Sequence, residues 1–72
     1  MLYLRNFISK VPLGSVINIK CNGEIIDSFK AKDFIINKNI YISLYYRGVK
    51  SIDINGKYNF TVDITPEKTI QC

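Results

Sequence analysis

Aromatic rings stand next to cations between residues 41 and 50, and this pattern suits a nucleotide ligand. The cluster comprises Tyr41, Tyr45, Tyr46, Arg47 and Lys50. A phenol ring offers a face on which a base can stack, and a neighbouring guanidinium or ammonium group can hold a phosphate. The pattern therefore predicts a ligand-binding surface, to which a basic rim would be added by Lys30, Lys32, Arg5 and Lys10. Packing of the tyrosines in the core or in a dimer interface is the alternative interpretation.

Residue types that carry most enzyme chemistry are missing or scattered. The chain contains no histidine, the commonest general base and metal ligand. Its two cysteines, Cys21 and Cys72, are too few to complete a structural zinc site. Each glycine stands alone at a predicted turn, so no glycine-rich phosphate loop is present, and the carboxylates are spread over turns and wet faces. We therefore predict a binding protein that is not an enzyme and holds neither a metal nor another cofactor.

Length and composition limit the architecture. The chain has 72 residues, which predicts a single domain over 1–72. A domain of this size buries only about 60% of the surface that its unfolded chain exposes, so we expect a homo-oligomer to bury more. A net charge of +4 makes the surface mildly attractive to anions, although the charges lie singly along the chain.

The cysteines and the N-terminal residues bear on the location of the protein. A small domain stabilised by disulfides usually carries more than two cysteines, so we predict a reduced, intracellular protein. Cys21 is expected to be a small buried hydrophobe, and Cys72 a free terminal thiol. Residues 1–11 lack the apolar core of a secretory signal, and no apolar stretch approaches the roughly 20 residues that span a bilayer. We expect a soluble protein in the cytoplasm.

A hairpin gives the clearest secondary-structure signal, with strands over 49–54 and 57–64 around the turn residues Asn55 and Gly56. Alternation with polar residues predicts an inward face made of Tyr58, Phe60, Val62 and Ile64. A loop over 54–56 would pair Ile52 with Tyr58 and place Gly56 in the left-handed position of a bulge. A two-residue turn at Asn55-Gly56 is the alternative.

Two further elements are predicted in the first half of the chain. Helical spacing over 2–11 is shown by Leu4, Phe7, Ile8 and Val11. Pro12 would end this helix, and a strand over 2–8 is the alternative. A first hairpin follows, with strands over 15–21 and 24–32 and a three-residue loop that pairs Ile19 with Ile25.

The remaining segments complete the predicted fold. The sequence leaves three alternatives for residues 33–37, which could form a helical turn capped by Asp33, a plain turn or a continuation of the strand. A further strand over 39–46 is predicted from the alternation of Ile40, Ile42 and Leu44. Residues 67–72 are expected to be a frayed tail. The predicted fold is α+β and mostly β, with a short N-terminal helix packed on an antiparallel sheet of about five strands built from two hairpins.

The order of these elements resembles that of a largely uncharacterised group of small proteins of bacteriophages and prophages of low-GC Gram-positive bacteria. The matching segments are the helix at residues 4–11, Gly23-Glu24 through Lys30-Ala31-Lys32-Asp33, and Val49-Lys50-Ser51-Ile52. The chain departs from the group at 37–46, which is predicted here as a full strand. The resemblance implies a phage protein that counters host defence. Some proteins of this kind act as sponges, which bind and hold a nucleotide-derived immune signal. It transfers no functional residue.

Three functional hypotheses follow. The first is a phage-encoded counter-defence protein, in the host cytoplasm, that sequesters a nucleotide-derived immune signal between the subunits of a homo-oligomer. The second is an inhibitor that covers a host defence protein with an exposed face or edge of its sheet. The third is direct nucleic-acid binding, which the ten cations support only weakly because they form no dense patch.

Overall fold

The computed structural model describes residues 2–65. Its elements, in chain order, are α1 (Leu4–Ile8), β1 (Val16–Cys21), β2 (Glu24–Lys30), α2 (Ala31–Ile36), α3 (Lys38–Tyr45), β3 (Val49–Gly56) and β4 (Asn59–Ile64). They form a small α+β domain in which strands predominate. The tail predicted over 67–72 lies outside the described residues.

The sheet is mixed and has the strand order β2-β1-β4-β3. Two hairpins, β1 with β2 and β3 with β4, are antiparallel, and β1 pairs with β4 in parallel. The prediction of an antiparallel sheet of about five strands is therefore wrong in both number and direction. The segment between the hairpins is helical and carries the chain across the sheet, so that β4 arrives beside β1 in the same direction. Because these two strands have the cleanest apolar alternation, they occupy the centre, where both edges are paired.

The strand predicted over 39–46 is instead α3. Tyr41, Leu44 and Tyr45 stand at i, i+3 and i+4, so this apolar run satisfies the helical period as well as the strand period. Packing decides between them, since the helix buries Leu44 and Tyr45 against the core. The strand predicted over 24–32 ends early, at Lys30, and the ambiguous residues that follow belong to α2. Asp33 lies in the first turn of α2 and does not cap it, because the N-cap is Lys30.

The first hairpin turns at Asn22 and Gly23, with φ angles of 54° and 87°. Positive φ at both positions is typical of the type I′ turn, whose twist matches that of the flanking strands. Cys21 therefore lies opposite Glu24, and the predicted pairing of Ile19 with Ile25 is wrong. An irregularity after Ile19 then brings the apolar residues Ile17 and Phe29 opposite each other.

The second hairpin also differs from its predicted register. Its turn is Lys57-Tyr58, Gly56 pairs with Asn59 and is not left-handed, and Ile52 faces Val62 instead of Tyr58. This register matches apolar partners along the inward face. It is supported on the opposite face by the Asn55 amide, whose Nδ2 donates to Thr61 Oγ1 at 2.6 Å and to Asn59 Oδ1 at 3.2 Å.

The inward face of β4 is confirmed at one end of the strand only. Val62 and Ile64 are fully buried, Phe60 is half-buried, and Tyr58, just before the strand, is 49% exposed. All three helices border the buried core, which also takes its apolar side chains from β1, β2 and β4. The helices therefore do not enclose the hairpin turn between β3 and β4.

The N-terminal helix is shorter than the predicted span of 2–11, because α1 covers only Leu4–Ile8. Leu4 and Ile8 are fully buried, and Phe7 and Val11 pack partly against the core. Before the helix the backbone is extended, and Tyr3 forms an antiparallel bridge with Gly48. The N-terminal segment is therefore attached to the chain just ahead of β3.

Cys21 ends β1 and is 2% exposed. Its burial confirms the prediction of a small buried hydrophobe, but Cys21 is disulfide-bonded, so the prediction of a reduced protein is wrong. Cys72, which was predicted to be a free thiol, lies outside the described residues. None of the helices between residues 2 and 65 has the length and apolar character needed to cross a bilayer.

Candidate functional site

Of the predicted ligand-binding tyrosines, Tyr45 is part of the core and Tyr41 packs against it. The Tyr45 ring stacks on Phe34 with centroids 4.6 Å apart, and the Tyr45 hydroxyl donates a hydrogen bond to the Phe34 carbonyl at 3.1 Å. Tyr41 is half-buried, with its ring centroid 4.7 Å from that of Phe29 and 5.6 Å from that of Phe34. These contacts occupy the ring faces on which a base would have to stack.

Local sequence explains this ring cluster. Phe34 is the buried side chain of α2, and Tyr41 and Tyr45 lie one turn apart on α3. Asn37 separates the helices with φ −98° and ψ 53°, outside the helical region, so the chain bends between them. The bend folds α3 back on α2, and the rings meet over Phe29 of β2.

The guanidinium of Arg47 bonds to the protein itself. Its Nε and Nη2 atoms donate to the Thr65 carbonyl at 2.9 and 2.7 Å, and Nη2 lies 3.9 Å from Cys21 Sγ. The next residue, Gly48, accepts a hydrogen bond from the Thr65 amide at 2.9 Å. Arg47 thus joins the start of β3 to the residue after β4, and these bonds use donors that a phosphate would need.

The three lysines of the predicted site are exposed but lie on different elements. Lys30 ends β2, Lys32 is in α2 and Lys50 is in β3. The strands β2 and β3 are opposite edges of the sheet, so three strand spacings, or about 14 Å, separate them. The sheet therefore does not bring Lys30 and Lys50 together in a single rim. The binding role of each lysine stays a prediction.

Tyr46 is the one predicted tyrosine with a largely exposed side chain, at 59%. The Arg5 guanidinium carbon lies over its ring, 5.6 Å from the centroid, and the Tyr3 ring meets it edge-on at 5.9 Å. Sequence reasoning named Arg5 only as part of a rim and missed Tyr3. The bridge between Tyr3 and Gly48 brings these residues together, and no local pattern predicts such a contact.

A second surface lies at the turn of the β3–β4 hairpin, and we call it the tip patch. Its members are Phe7, Ile54, Tyr58 and Phe60. Ile54 is 74% exposed although its partner in the sheet is Phe60, which contacts Phe7 with ring centroids 5.7 Å apart. The patch therefore continues the core side of the sheet beyond the helices. Lys57 borders it, with its Nζ 5.4 Å from the Tyr58 ring centroid.

The strand that carries Ile54 also has an open edge. Between residues 2 and 65, β3 pairs in the sheet with β4 alone. The N-terminal segment reaches only as far as Val49, whose amide donates to the Leu2 carbonyl at 2.9 Å. From Lys50 onward, the outer backbone groups of β3 therefore have no partner strand within the part of the chain that the structure describes.

The described residues offer no grouping of three or more Cys, Asp or Glu side chains that could hold a metal ion. The chemistry that the described surfaces offer is stacking at Tyr46, ion pairing at Arg5, and apolar and backbone contact at the tip patch. Comparison of the chain with family models, with curated proteins and with solved structures gives no match, so the assignment of function depends on this geometry.

Proposed function

We propose that this chain is a non-enzymatic binding protein that acts by covering a surface of another protein, with the tip patch and the outer edge of β3 as the contact. The observation that carries the proposal is Ile54. This side chain is 74% exposed and lies opposite Phe60, on the face of β4 whose next two inward side chains, Val62 and Ile64, are fully buried. An apolar surface that continues a core outward is typical of a protein–protein contact.

The large share of hydrophobic residues that remain exposed supports the proposal of a protein partner. Among residues 2–65, twelve hydrophobic residues form the buried core and twelve large hydrophobic residues are exposed. Isolated exposed hydrophobic residues are ordinary, so the total alone would mean little. At the tip patch, however, the exposed Ile54 lies opposite the half-buried Phe60, on the part of β3 whose outer edge has no partner strand among residues 2–65, which combines the two requirements for adding a strand from a partner.

The charges near this surface indicate the chemistry of the partner. Lys50 lies on β3 and Lys57 at the hairpin turn, and the chain as a whole has a net charge of +4. The complementary surface is an extended apolar segment flanked by carboxylates, because such charges would pair with the lysines at the rim. The resemblance to phage proteins suggests a host defence protein, met in the host cytoplasm.

Affinity capture from a lysate of a low-GC Gram-positive host tests the proposal. The wild-type chain is expected to retain one protein in stoichiometric amount, and Ile54→Lys is expected to lose it. Ile36→Lys is the matched control, because Ile36 is 70% exposed but lies on α2. Retention of the same protein by Ile54→Lys, or retention of no stoichiometric protein by the wild type, would contradict the proposal.

Sequestration of a nucleotide-derived signal is the second candidate, and the exposed ring of Tyr46 beside Arg5 favours it. It ranks second because Tyr41, Tyr45 and Arg47 make their contacts within the protein. Calorimetry with cyclic nucleotides and ADP-ribose derivatives, together with a measurement of oligomeric state, tests it. Absence of heat with every ligand at micromolar protein would exclude a sponge.

A further inference from the structure

We infer that Tyr3, Arg5 and Tyr46 form a surface site for a planar aromatic ligand that carries a phosphate, of which a nucleoside monophosphate is the simplest example. The inference depends on the second candidate function above, and it names a site that differs from the cluster at residues 41–50. Only Tyr46 is common to both.

All three side chains are accessible to a ligand. Tyr46 is 59% exposed and Tyr3 is 38% exposed, and Arg5 is also exposed. Within the part of the chain that the structure describes, no carboxylate pairs with the Arg5 guanidinium, whose recorded side-chain partner is the Tyr46 ring. The outward N–H groups of Arg5 can therefore donate to an anion, and a guanidinium matches two phosphate oxygens in its fork geometry.

The neighbouring rings fix the position of Tyr46. Tyr3 meets Tyr46 at an interplanar angle of 83°, and Tyr45 meets it from the helix side at 63°, with its ring centroid 6.4 Å away. Tyr46 is therefore contacted by two rings and by the Arg5 guanidinium, and it still has the largest exposed fraction of the three tyrosines. A base can stack on its open surface, and every base has such a face.

The backbone holds the three residues in place. The Leu4 amide donates to the Arg47 carbonyl at 3.0 Å, and Tyr3 bridges Gly48, so the N-terminal segment is fixed beside the end of α3. Leu4 itself is fully buried directly between Tyr3 and Arg5 in the sequence. The site is therefore formed before the ligand arrives, which lowers the entropic cost of binding.

A second cation lies over a tyrosine elsewhere on the surface and provides a matched control. Lys57 Nζ lies 5.4 Å from the centroid of Tyr58, a distance close to that at Arg5 and Tyr46. That pair has no second tyrosine at its edge among residues 2–65, and an ammonium group does not offer the planar fork of a guanidinium. A general attraction of anions to cations would affect both pairs equally, whereas the proposed site requires Arg5.

Titration of the 15N-labelled full chain with AMP, followed by amide chemical shifts, tests the site. AMP is expected to shift the amides of Tyr3, Arg5 and Tyr46 and to saturate. Arg5→Gln and Tyr46→Leu should each weaken binding at least about tenfold, which is about 1.4 kcal/mol, while Tyr46→Phe and Lys57→Gln should change it less than about twofold. Adenosine and inorganic phosphate, titrated separately, should each bind more weakly than AMP. Adenosine lacks the phosphate that Arg5 would bind, and inorganic phosphate lacks the base that would stack on Tyr46. The amide spectrum of each variant shows whether it is folded.

The possible failures are distinguishable. Saturable AMP binding that shifts other residues, or that is weakened equally by Arg5→Gln and Lys57→Gln, overturns this site and leaves the second candidate function intact. No saturable shift with AMP, cyclic nucleotides or ADP-ribose overturns both. Phosphate that binds as tightly as AMP shows a simple anion site and also overturns the inference, because the rings would then contribute nothing.

Discussion

Replacement of Arg47 by methionine distinguishes a structural role from a binding role for this residue. The methionine keeps the apolar length of the side chain and removes the guanidinium, which donates to the Thr65 carbonyl at 2.9 and 2.7 Å. Hydrogen bonds from a charged donor contribute about 1.5–3 kcal/mol. Arg47 and Thr65 are half-buried, so water can replace part of the loss. We therefore expect a decrease of about 2 kcal/mol in the free energy of unfolding.

That decrease is large for a chain of this size. At about 0.05–0.15 kcal/mol per residue, the whole domain is stable by only about 4–11 kcal/mol. A loss of about 2 kcal/mol corresponds to a fall of roughly 8–16 °C in Tm for a domain of fewer than about 100 residues. Urea unfolding followed by circular dichroism should show a lower midpoint with an unchanged slope, because the change does not alter the area exposed on unfolding.

Lys50→Met is the control, because Lys50 is an exposed cation of the same predicted site and lies three residues further along the chain. It should change stability by less than about 0.5 kcal/mol. If Arg47→Met were as stable as Lys50→Met, the bonds to Thr65 would contribute nothing measurable. Our assignment of Arg47 to the framework would then be wrong.

Three further predictions concern the framework, and each is checked by thermal and urea unfolding. Tyr45→Phe removes the hydroxyl that donates to the Phe34 carbonyl and should cost about 1 kcal/mol, whereas Tyr58→Phe at an exposed ring should cost almost nothing. Phe34→Ala should cost about 3–5 kcal/mol and leave the domain close to unfolding at room temperature, because this ring is 1% exposed at the centre of the ring cluster. Gly23→Ala should cost about 1–2 kcal/mol because φ is +87°, whereas Gly14→Ala, which has open space and no left-handed φ, should stabilise by about 0.4–1 kcal/mol. If the two glycine variants changed stability equally, the left-handed φ of Gly23 would not explain its cost. If the two tyrosine variants changed stability equally, the hydrogen bond of the Tyr45 hydroxyl would contribute nothing measurable.

The sequence predicted the elements with a single consistent period and failed where two periods coincide. The alternation in β1 and β4 has no competing helical pattern, and both segments are strands. Residues 40–45 are almost entirely apolar, so both the strand face of Ile40 and Ile42 and the helical face of Tyr41 and Tyr45 are present. The choice between them depends on tertiary packing, because the helix places Tyr41 and Tyr45 against the ring of Phe34 in the preceding helix.

The hairpin registers failed for a related reason. Loop chemistry indicates that a turn exists near Asn22-Gly23 and near Asn55-Gly56, and both regions do turn. The exact residue is set by cross-strand partners such as Ile54 with Phe60, and by the Asn55 amide with Thr61, which become neighbours only in the folded sheet. A shift of the turn to Lys57-Tyr58 costs little locally, because neither residue has a positive φ.

The fate of the predicted binding residues follows from the size of the domain. A chain of 72 residues has few large side chains with which to form a core, and rings bury more area than any other side chain. Tyr41 and Tyr45 therefore contribute to folding, and Arg47 replaces contacts that a larger domain would obtain from additional elements. The groups left for function are those that the framework cannot use: Tyr46 beyond the end of α3, and Ile54 beyond the reach of the helices. In so small a domain, two of the three tyrosines that the sequence pattern marks for binding are used in packing, and exposure in the folded state is the better guide to a candidate binding surface.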